Sequence, residues 1–309
     1  MTNTFIKAVE IWVPTPDRTR LTLKTGHYGE LDYFERISRG MQFAYDEGLP
    51  GKCWAAGHPL MLKDLGNSYF QRGDAAMTVG LTSATAIPFF VDNILTGVTV
   101  LYCGDNAHHV GAIELWHAPA GDPQMKLYDG YFGRAEKFEF AARHTQFSRN
   151  VGLPGIVWDT GLPLIMADLG KAEQFLRRDD VAKVGIGRGI GLPVAARGED
   201  TWVLVLLSAQ NSPIAQRVEL WQPDAVAGCW RLISGYAESG EDIAARYSGT
   251  EMPLDVGPMG EAMIEMQAVI APLADRGYLS DGEIGTIKML VLPMFAQVSL
   301  AAALMAHLH

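Results

Sequence analysis

The chain has little cysteine, a shortage of basic charge and no long apolar run, and each shortage removes a class of protein. Three cysteines in 309 residues, Cys53, Cys103 and Cys229, make neither an even disulfide framework nor a close pair of metal ligands. A reducing cytoplasm is the simplest home for them. Lys and Arg number 25 against 35 Asp and Glu, a net charge of -10. Such a chain lacks the cations that displace counterions from a phosphate backbone, so nucleic acid is not expected as a partner. No apolar stretch approaches the roughly 20 residues needed to cross a bilayer, so no membrane is expected either. Residues 1–7 lack the basic, apolar and small-residue regions of a secretory leader. No Ser-His-Asp order, glycine-rich phosphate loop or acidic metal cluster stands out, and the chain reads as non-enzymatic.

What the chain does have is repetition. Gly48-Leu-Pro-Gly51 returns as Gly152-Leu-Pro-Gly155 and, worn down, as Gly257-Pro-Met-Gly260, at steps of 104 and 105 residues. Glu10-Ile-Trp12 returns as Glu114-Leu-Trp116 and Glu219-Leu-Trp221, and Gly26 as Gly130 and Gly235. Gly80, Gly185 and Gly285 each stand eight residues before a proline, Pro88, Pro193 and Pro293. Landmarks held in one order at one step mark an internal repeat of domain size. The units expected are 1–106, 107–213 and 214–309, and 48% hydrophobic content supplies material for several cores.

Within a unit the pattern alternates between strand and helix. Ala8 to Val13 and Leu21 to Thr25 read as a hairpin, and Leu31 to Ser38 as a helix with Leu31, Phe34 and Ile37 on one face. Pro50 suits the first turn of a short helix, and Gly57 its left-handed stop. Leu60 to Leu62 is extended and Phe70 to Val79 helical. Ala84 to Phe90 and Leu95 to Tyr102 then flank an Asp92-Asn93 turn. The second unit repeats this through Ala135 to Arg143, Pro154 to Thr160 and Gln174 to Val184. Helices on an antiparallel sheet give an α+β class.

The junctions between units are a few residues long, the length of a hairpin loop. The last strand of one unit is therefore placed to pair with the first strand of the next. That exchange would close a ring of three with the termini side by side; three ordinary domains in a row are the alternative. The third unit departs from the pattern. Its Trp position is Met263, no glycine follows at the helix stop, Gly277 to Gly285 is shortened, and no Arg matches Arg72 and Arg177. Leu300 to Leu304 favours helix on propensity yet falls where the other units have a strand. Any ligand is expected in the first two units.

These residues carry a resemblance. Glu-Ile-Trp, the run from Gly48-Leu-Pro-Gly-Lys-Cys-Trp to Lys63-Asp-Leu65, Phe70-Gln-Arg72, Gly80 and Ala86-Ile-Pro88 resemble a GAF domain of bacterial sensor proteins. The second unit is similar through Gly152 to Trp158, Asp168-Leu169 and Phe175-Leu-Arg177. The resemblance implies a central antiparallel sheet flanked by helices, as in PAS domains, one face often enclosing a small-molecule pocket. It also brings known ligand classes to weigh. The Asn-Lys-Phe-Asp-Glu set of cyclic-nucleotide-binding members is absent; Tyr45-Asp46-Glu47 is a fragment at the wrong place. No cysteine has the His neighbour typical of bilin attachment. The GAF-type reductase of free methionine sulfoxide uses several clustered cysteines, whereas here only Cys53 and Cys103 share a unit.

The candidate pocket residues are Tyr28, Trp54, Asp64 and Arg72 in the first unit and Tyr131, Trp158, Asp168 and Arg177 in the second. The tryptophans would stack on a ligand or fill the core. The arginines would meet an anionic effector, cap a helix, or pair with Asp64 and Asp168, which themselves suit a turn. The tyrosines would line a pocket or pack. Adjacent His108 and His109 point apart on an extended chain and make a poor metal site. The expectation is a cytoplasmic tandem-GAF regulatory protein that binds a small-molecule effector, of unknown identity and with no cofactor assigned. It would signal through a separate partner protein, as a monomer or a homo-oligomer. A GAF scaffold with filled pockets is the alternative, and a thiol-dependent reductase a minor one.

Overall fold

The computed structural model describes residues 4–104, 110–133, 135–272, 288–296 and 299–308. Three six-stranded antiparallel sheets follow one another along the chain, each with helices on one face. In the first unit β1 (Ile6–Pro14) and β2 (Arg20–His27) form the opening hairpin. They are followed by α1 (Asp32–Ser38), β3 (Gln42–Ala44), α2 (Gly48–Ala56), β4 (Leu60–Leu62), α3 (Gly73–Thr78), β5 (Leu81–Val91) and β6 (Ile94–Gly104). The second unit repeats this order as β7 (Gly111–Ala118), β8 (Met125–Tyr131), α4 (Glu136–Arg143), β9 (Gln146–Phe147), α5 (Gly152–Thr160), β10 (Leu164–Met166), α6 (Arg178–Val184), β11 (Arg188–Val194) and β12 (Thr201–Ser208). The third gives β13 (Arg217–Asp224), β14 (Cys229–Ala237), α7 (Ile243–Arg246), β15 (Met252–Pro253), α8 (Gly257–Glu265), β16 (Val269–Pro272), β17 (Lys288–Ala296) and β18 (Ser299–Leu308). The short strand after the first helix of each unit is an addition to the sequence reading.

Strand order is β3-β2-β1-β6-β5-β4 in the first sheet and equivalent in the others. The last strand of each unit pairs with the first strand of the same unit, β6 with β1, β12 with β7 and β18 with β13. The expected exchange across junctions is thereby corrected: each sheet is completed within its own unit. The ring nevertheless closes, through faces instead of edges. The first unit's β4 lies against β8, β11 against β17, and β16 of the third unit against β2 of the first. Side chains from all three sheets share one core, among them Val9, Ile11 and Leu101, Ile190, Leu204 and Leu206, and Val218, Leu290 and Leu304. Thr4 and Ile6 line the same small crevice as Leu308, so the two ends of the described chain lie side by side.

This double burial explains the composition of the central strands. In β12, Val203, Val205 and Leu207 pack under the helices while Leu204 and Leu206 face the shared core. Alternation of apolar and polar residues therefore disappears where both faces are covered. The sequence also places Leu300 to Leu304 in a strand against its helical propensity, because β18 lies between β13 and β17 and buries both faces. Pro88, Pro193 and Pro293 meet around a crevice of about 30 Å³ where the three sheets converge.

The Gly-Leu-Pro-Gly landmark has a steric cause. A Cβ on Gly51 would stand 2.1 Å from the Ala44 carbonyl oxygen, and one on Gly155 2.2 Å from that of Ser148. In the third unit, a Cβ on Gly260 would meet the Asp255 carbonyl carbon at 2.4 Å. Helices α2 and α5 end at Gly57 (φ 72°) and Gly161 (φ 66°), as expected. Helix α8 ends at Met266, which adopts the same left-handed conformation (φ 52°) without a glycine. The Asp92-Asn93 turn has φ of 47° and 64°, the twist that suits a two-residue hairpin loop. The expected helices 70–79 and 174–184 are shorter, beginning at Gly73 and Arg178.

Candidate functional site

Each unit buries one carboxylate in the layer between its sheet and its helices: Glu10, Glu114 and Glu219, all 0% exposed. The backbone sets them up identically. Each glutamate sits opposite a glycine on the neighbouring strand, Gly26, Gly130 or Gly235, and a β-bulge follows before the tryptophan two residues on. The missing Cβ makes room for the ring of Tyr28 over Gly26 and of Phe132 over Gly130. In all three units the indole N–H donates to the glutamate at 2.9 Å.

A buried carboxylate needs a cation. In the first unit it is Arg72, at the start of α3, whose Nη1 and Nη2 donate to Glu10 Oε1 and Oε2 at 2.6 and 2.9 Å. In the second it is Arg177, at the start of α6, paired in the same bidentate way with Glu114 at 2.5 and 2.7 Å. Both guanidinium groups are roofed by aromatics at matching positions. Arg72 lies 4.7 to 5.9 Å from the ring centres of Phe34, Phe70, Trp12, Tyr102 and Phe43. Arg177 lies 4.7 to 5.7 Å from those of Phe138, Trp116, Phe175 and Phe147. In the third unit the cation among the described residues is Arg217, two residues before Glu219 on the same strand. Its Nε donates to Glu219 at 2.6 Å, Nη1 to Glu241 at 2.7 Å and Nη2 to Tyr247 at 2.5 Å. The equivalent positions in the other units are Ala8 and Ala112.

The first unit adds hydroxyls to this pattern. Tyr28 and Tyr102 donate to Glu10 at 3.0 and 2.7 Å, and Arg72 reaches the Ser38 hydroxyl. The second unit has Phe132, Leu207 and Ala142 at these places. Burial would push the Glu10 carboxyl up, but the Arg72 charge and the hydrogen bonds from Arg72 and Tyr102 together hold it below its ordinary value. The Tyr28 phenol moves up, through burial and then the Glu10 charge. Chemically the arrangement is a closed, internally neutralised core layer, with every charged group facing another side chain of the chain.

The eight sequence candidates therefore separate. Tyr28 and Arg72 belong to the Glu10 cluster and Arg177 to the Glu114 cluster. The expected pairing of the arginines with Asp64 and Asp168 is corrected: both aspartates are on the surface, where Asp64 accepts from the Gly66 and Asn67 N–H groups and Asp168 from those of Gly170 and Lys171. Trp54 is half-buried with its ring against Tyr45, and Trp158 is buried under the Arg149 guanidinium, 4.5 Å from the ring centre. Tyr131 is not the counterpart of Tyr28. It stands one residue after its glycine where Tyr28 stands two, so it turns to the opposite face, into the core shared by the units, with its hydroxyl 3.2 Å from that of Thr82. His108, His109 and Gly277 to Gly285 lie outside the described residues. The sequence reading used the glutamates and Phe34, Phe70 and Phe175 only as landmarks; a glutamate recurring three times inside an apolar strand was the available signal.

No protein-family model matches the chain, and no curated protein matches it in sequence. Several of the solved structures similar to it are GAF domains. One from A. aeolicus, in an inactive state, is 21% identical over 32% of this chain and 59% of its own, with a TM-score of 0.27. The free methionine-R-sulfoxide reductase of Neisseria meningitidis, in complex with its substrate, is 16% identical over 32% and 52%, with a TM-score of 0.26. A GAF domain/HD domain protein of Geobacter sulfurreducens is 18% identical over 32% and 63%, with a TM-score of 0.28. The matched part spans less than two thirds of each of these neighbours. Three units of one strand and helix order, in tandem, describe the architecture.

Proposed function

We propose that the chain is a non-enzymatic regulatory scaffold of GAF type, cytoplasmic, whose units associate with one another and with a separate partner protein. One observation carries this reading: the layer between sheet and helices, where a GAF unit would enclose an effector, is filled by the chain's own Glu-Arg-Trp clusters. The opposite faces of the sheets are consumed by the shared core. The outer, helical surface displays Met77, Phe140, Leu176 and Ile264, each more than half exposed, and there the scaffold meets its partner. The thiols support the same reading over a reductase. Cys53 and Cys103 lie on opposite faces of their sheet, both fully buried. Burial moves the Cys53 thiol up and pushes that of Cys103 up to about 12, so neither supplies a thiolate near neutral pH.

Native mass spectrometry of freshly purified protein, with an absorption spectrum of the same sample, tests the proposal. A mass equal to the chain or an integer multiple of it, with no band beyond Trp and Tyr, is the expected result. An organic ligand larger than a simple carboxylate anion that leaves on denaturation, or turnover of free methionine sulfoxide with a thiol reductant, overturns it.

A further inference from the structure

The ring has one joint unlike the other two. Where the third unit meets the first, a pocket of about 200 Å³ opens beside β2, lined by Lys24, Thr25, Gly26, Tyr28, Arg39 and Lys288. Among the described residues its lining carries three cations and no carboxylate, inside a chain of net charge -10.

Each cation arrives for a separate structural reason. Lys24 is the extra residue of the β-bulge between Glu10 and Trp12; Ile11 pairs with Thr25 and Trp12 with Leu23, which leaves Lys24 turned toward the third unit. There it pairs with Glu265, and Glu261 stands 3.6 Å away. Arg39 caps α1 and pairs with Glu35 on the exposed side of that helix. Lys288 opens β17 and donates to the Gly26 carbonyl at a long 3.4 Å, with no carboxylate partner among the described residues. The matching position in the second unit, Arg188, does meet a carboxylate, Glu238 at 3.4 Å. In the first unit it is the uncharged Ser83.

The edge of β2 is also open here. Strand β3 pairs with Arg20 to Thr22, so from Leu23 onward β2 has no outer neighbour strand among the described residues. Tyr28 closes the inner wall, its hydroxyl committed to Glu10. The result is a partly open polar pocket on which three cations converge, Lys24 and Arg39 meeting carboxylates that stand outside its lining and Lys288 meeting none among the described residues, a combination that favours an anion over a neutral ligand.

We infer that this joint is a binding site for a small multivalent oxyanion, of the phosphate or di- and tricarboxylate class, held by Lys288 and Arg39 with Lys24 at its margin. The ligand touches both units at once, so occupancy favours the closed ring by mass action. The inference goes beyond the scaffold reading, which concerns the unit interiors, and neither depends on the other.

The test uses the full-length protein with inorganic phosphate or citrate as probes, titrated calorimetrically and by thermal shift, with sodium chloride matched in ionic strength as the control. One of the two probes is expected to bind saturably and raise the melting temperature where chloride does not. Lys288→Gln and Arg39→Gln each weaken that binding about tenfold, the usual consequence of losing one charge-assisted hydrogen bond, while Lys52→Gln, on the surface of the first unit, leaves it unchanged. Both lysines and Arg39 are partly exposed, and unchanged circular dichroism confirms that the variants fold. Absence of saturable binding by either probe, or wild-type affinity in both K288Q and R39Q, overturns the inference. A co-purified organic ligand larger than a simple carboxylate anion, with wild-type anion binding, instead sinks only the scaffold reading.

Discussion

The first two units bring a cation to their buried glutamate from the start of a helix, whereas the third brings it from the strand that carries the glutamate. The carboxylate and its tryptophan stay in place, while the described arginine beside them in the third unit stands more than half a unit away along the sequence. Among the described residues, what all three units share is therefore a charge balance and not one arginine position. A buried glutamate left alone is far costlier than a neutralised one, and among the described residues of the third unit Arg217 is the cation that meets this need.

The largest effect that would break this comparison comes from deleting a partner. Arg177→Met leaves Glu114 with Trp116 as its remaining donor among the described residues, while Arg72→Met leaves Glu10 with Trp12, Tyr28 and Tyr102. Both are expected to lose about 3–5 kcal/mol in urea unfolding followed by tryptophan fluorescence, with Arg177→Met the more costly. The pH dependence gives the sign a second check. In the wild type the Glu10 carboxyl is held below its ordinary 4.5. Its contribution is thus complete above that value and is lost as pH falls through the lower, folded one. In Arg72→Met the burial that remains raises the carboxyl instead, so the deficit at pH 7 shrinks toward pH 5. A deficit that stays constant with pH would assign the loss to packing and not to charge.

Moving the cation is the sharper experiment. Ala8→Arg combined with Arg72→Met places a cation in the first unit where Arg217 stands in the third, since Ala8 occupies the matching position and is fully buried beside Glu10. The double variant is expected to regain about 1–3 kcal/mol of the loss in Arg72→Met, the coupling typical of residues in direct contact. A double variant less stable than the single one would show that the two routes are not interchangeable. Gly155→Ala is expected to cost a similar 1–3 kcal/mol by overpacking, since its Cβ would stand 2.2 Å from a backbone carbonyl oxygen; thermal melting reads it directly.

How much of this was legible follows from what each landmark does. The period, the hairpins, the helix that opens at Gly-Leu-Pro-Gly and the left-handed stops all express local backbone needs, and local needs show in sequence. The ring was legible in outline, but its closure was assigned to strand edges because junction length speaks about chain reach and says nothing about which face is apolar. That information sat in β12, whose continuous apolar run from Trp202 to Leu207 states that both faces are buried. Tyr131 was misplaced by a single step of the two-residue strand period. Arg217 was hidden for a different reason. It occupies no position matching an arginine in the other units, and only the demand for charge balance, applied to the third glutamate, would have led to it.

The smallest predicted effect concerns the same contrast between units, at the helix stop. Helices α2 and α5 end on glycines at φ of 72° and 66°, where α8 ends on Met266 at 52°. A left-handed conformation costs a residue with a Cβ about 1–2 kcal/mol, and Met266→Gly removes that cost. Against it stands the added freedom of glycine in the unfolded chain, about 0.4–1 kcal/mol. The contact that ties the stop to the first unit is made by the Met266 carbonyl, which accepts from the Thr96 hydroxyl at 2.7 Å and which glycine keeps. The balance is a stabilisation of about 0.5–1 kcal/mol, read as a small rise in urea midpoint. A loss would mean that the methionine side chain, and not only its carbonyl, joins the third unit to the first, and the third unit's departure from the pattern would then serve the ring and not merely survive in it.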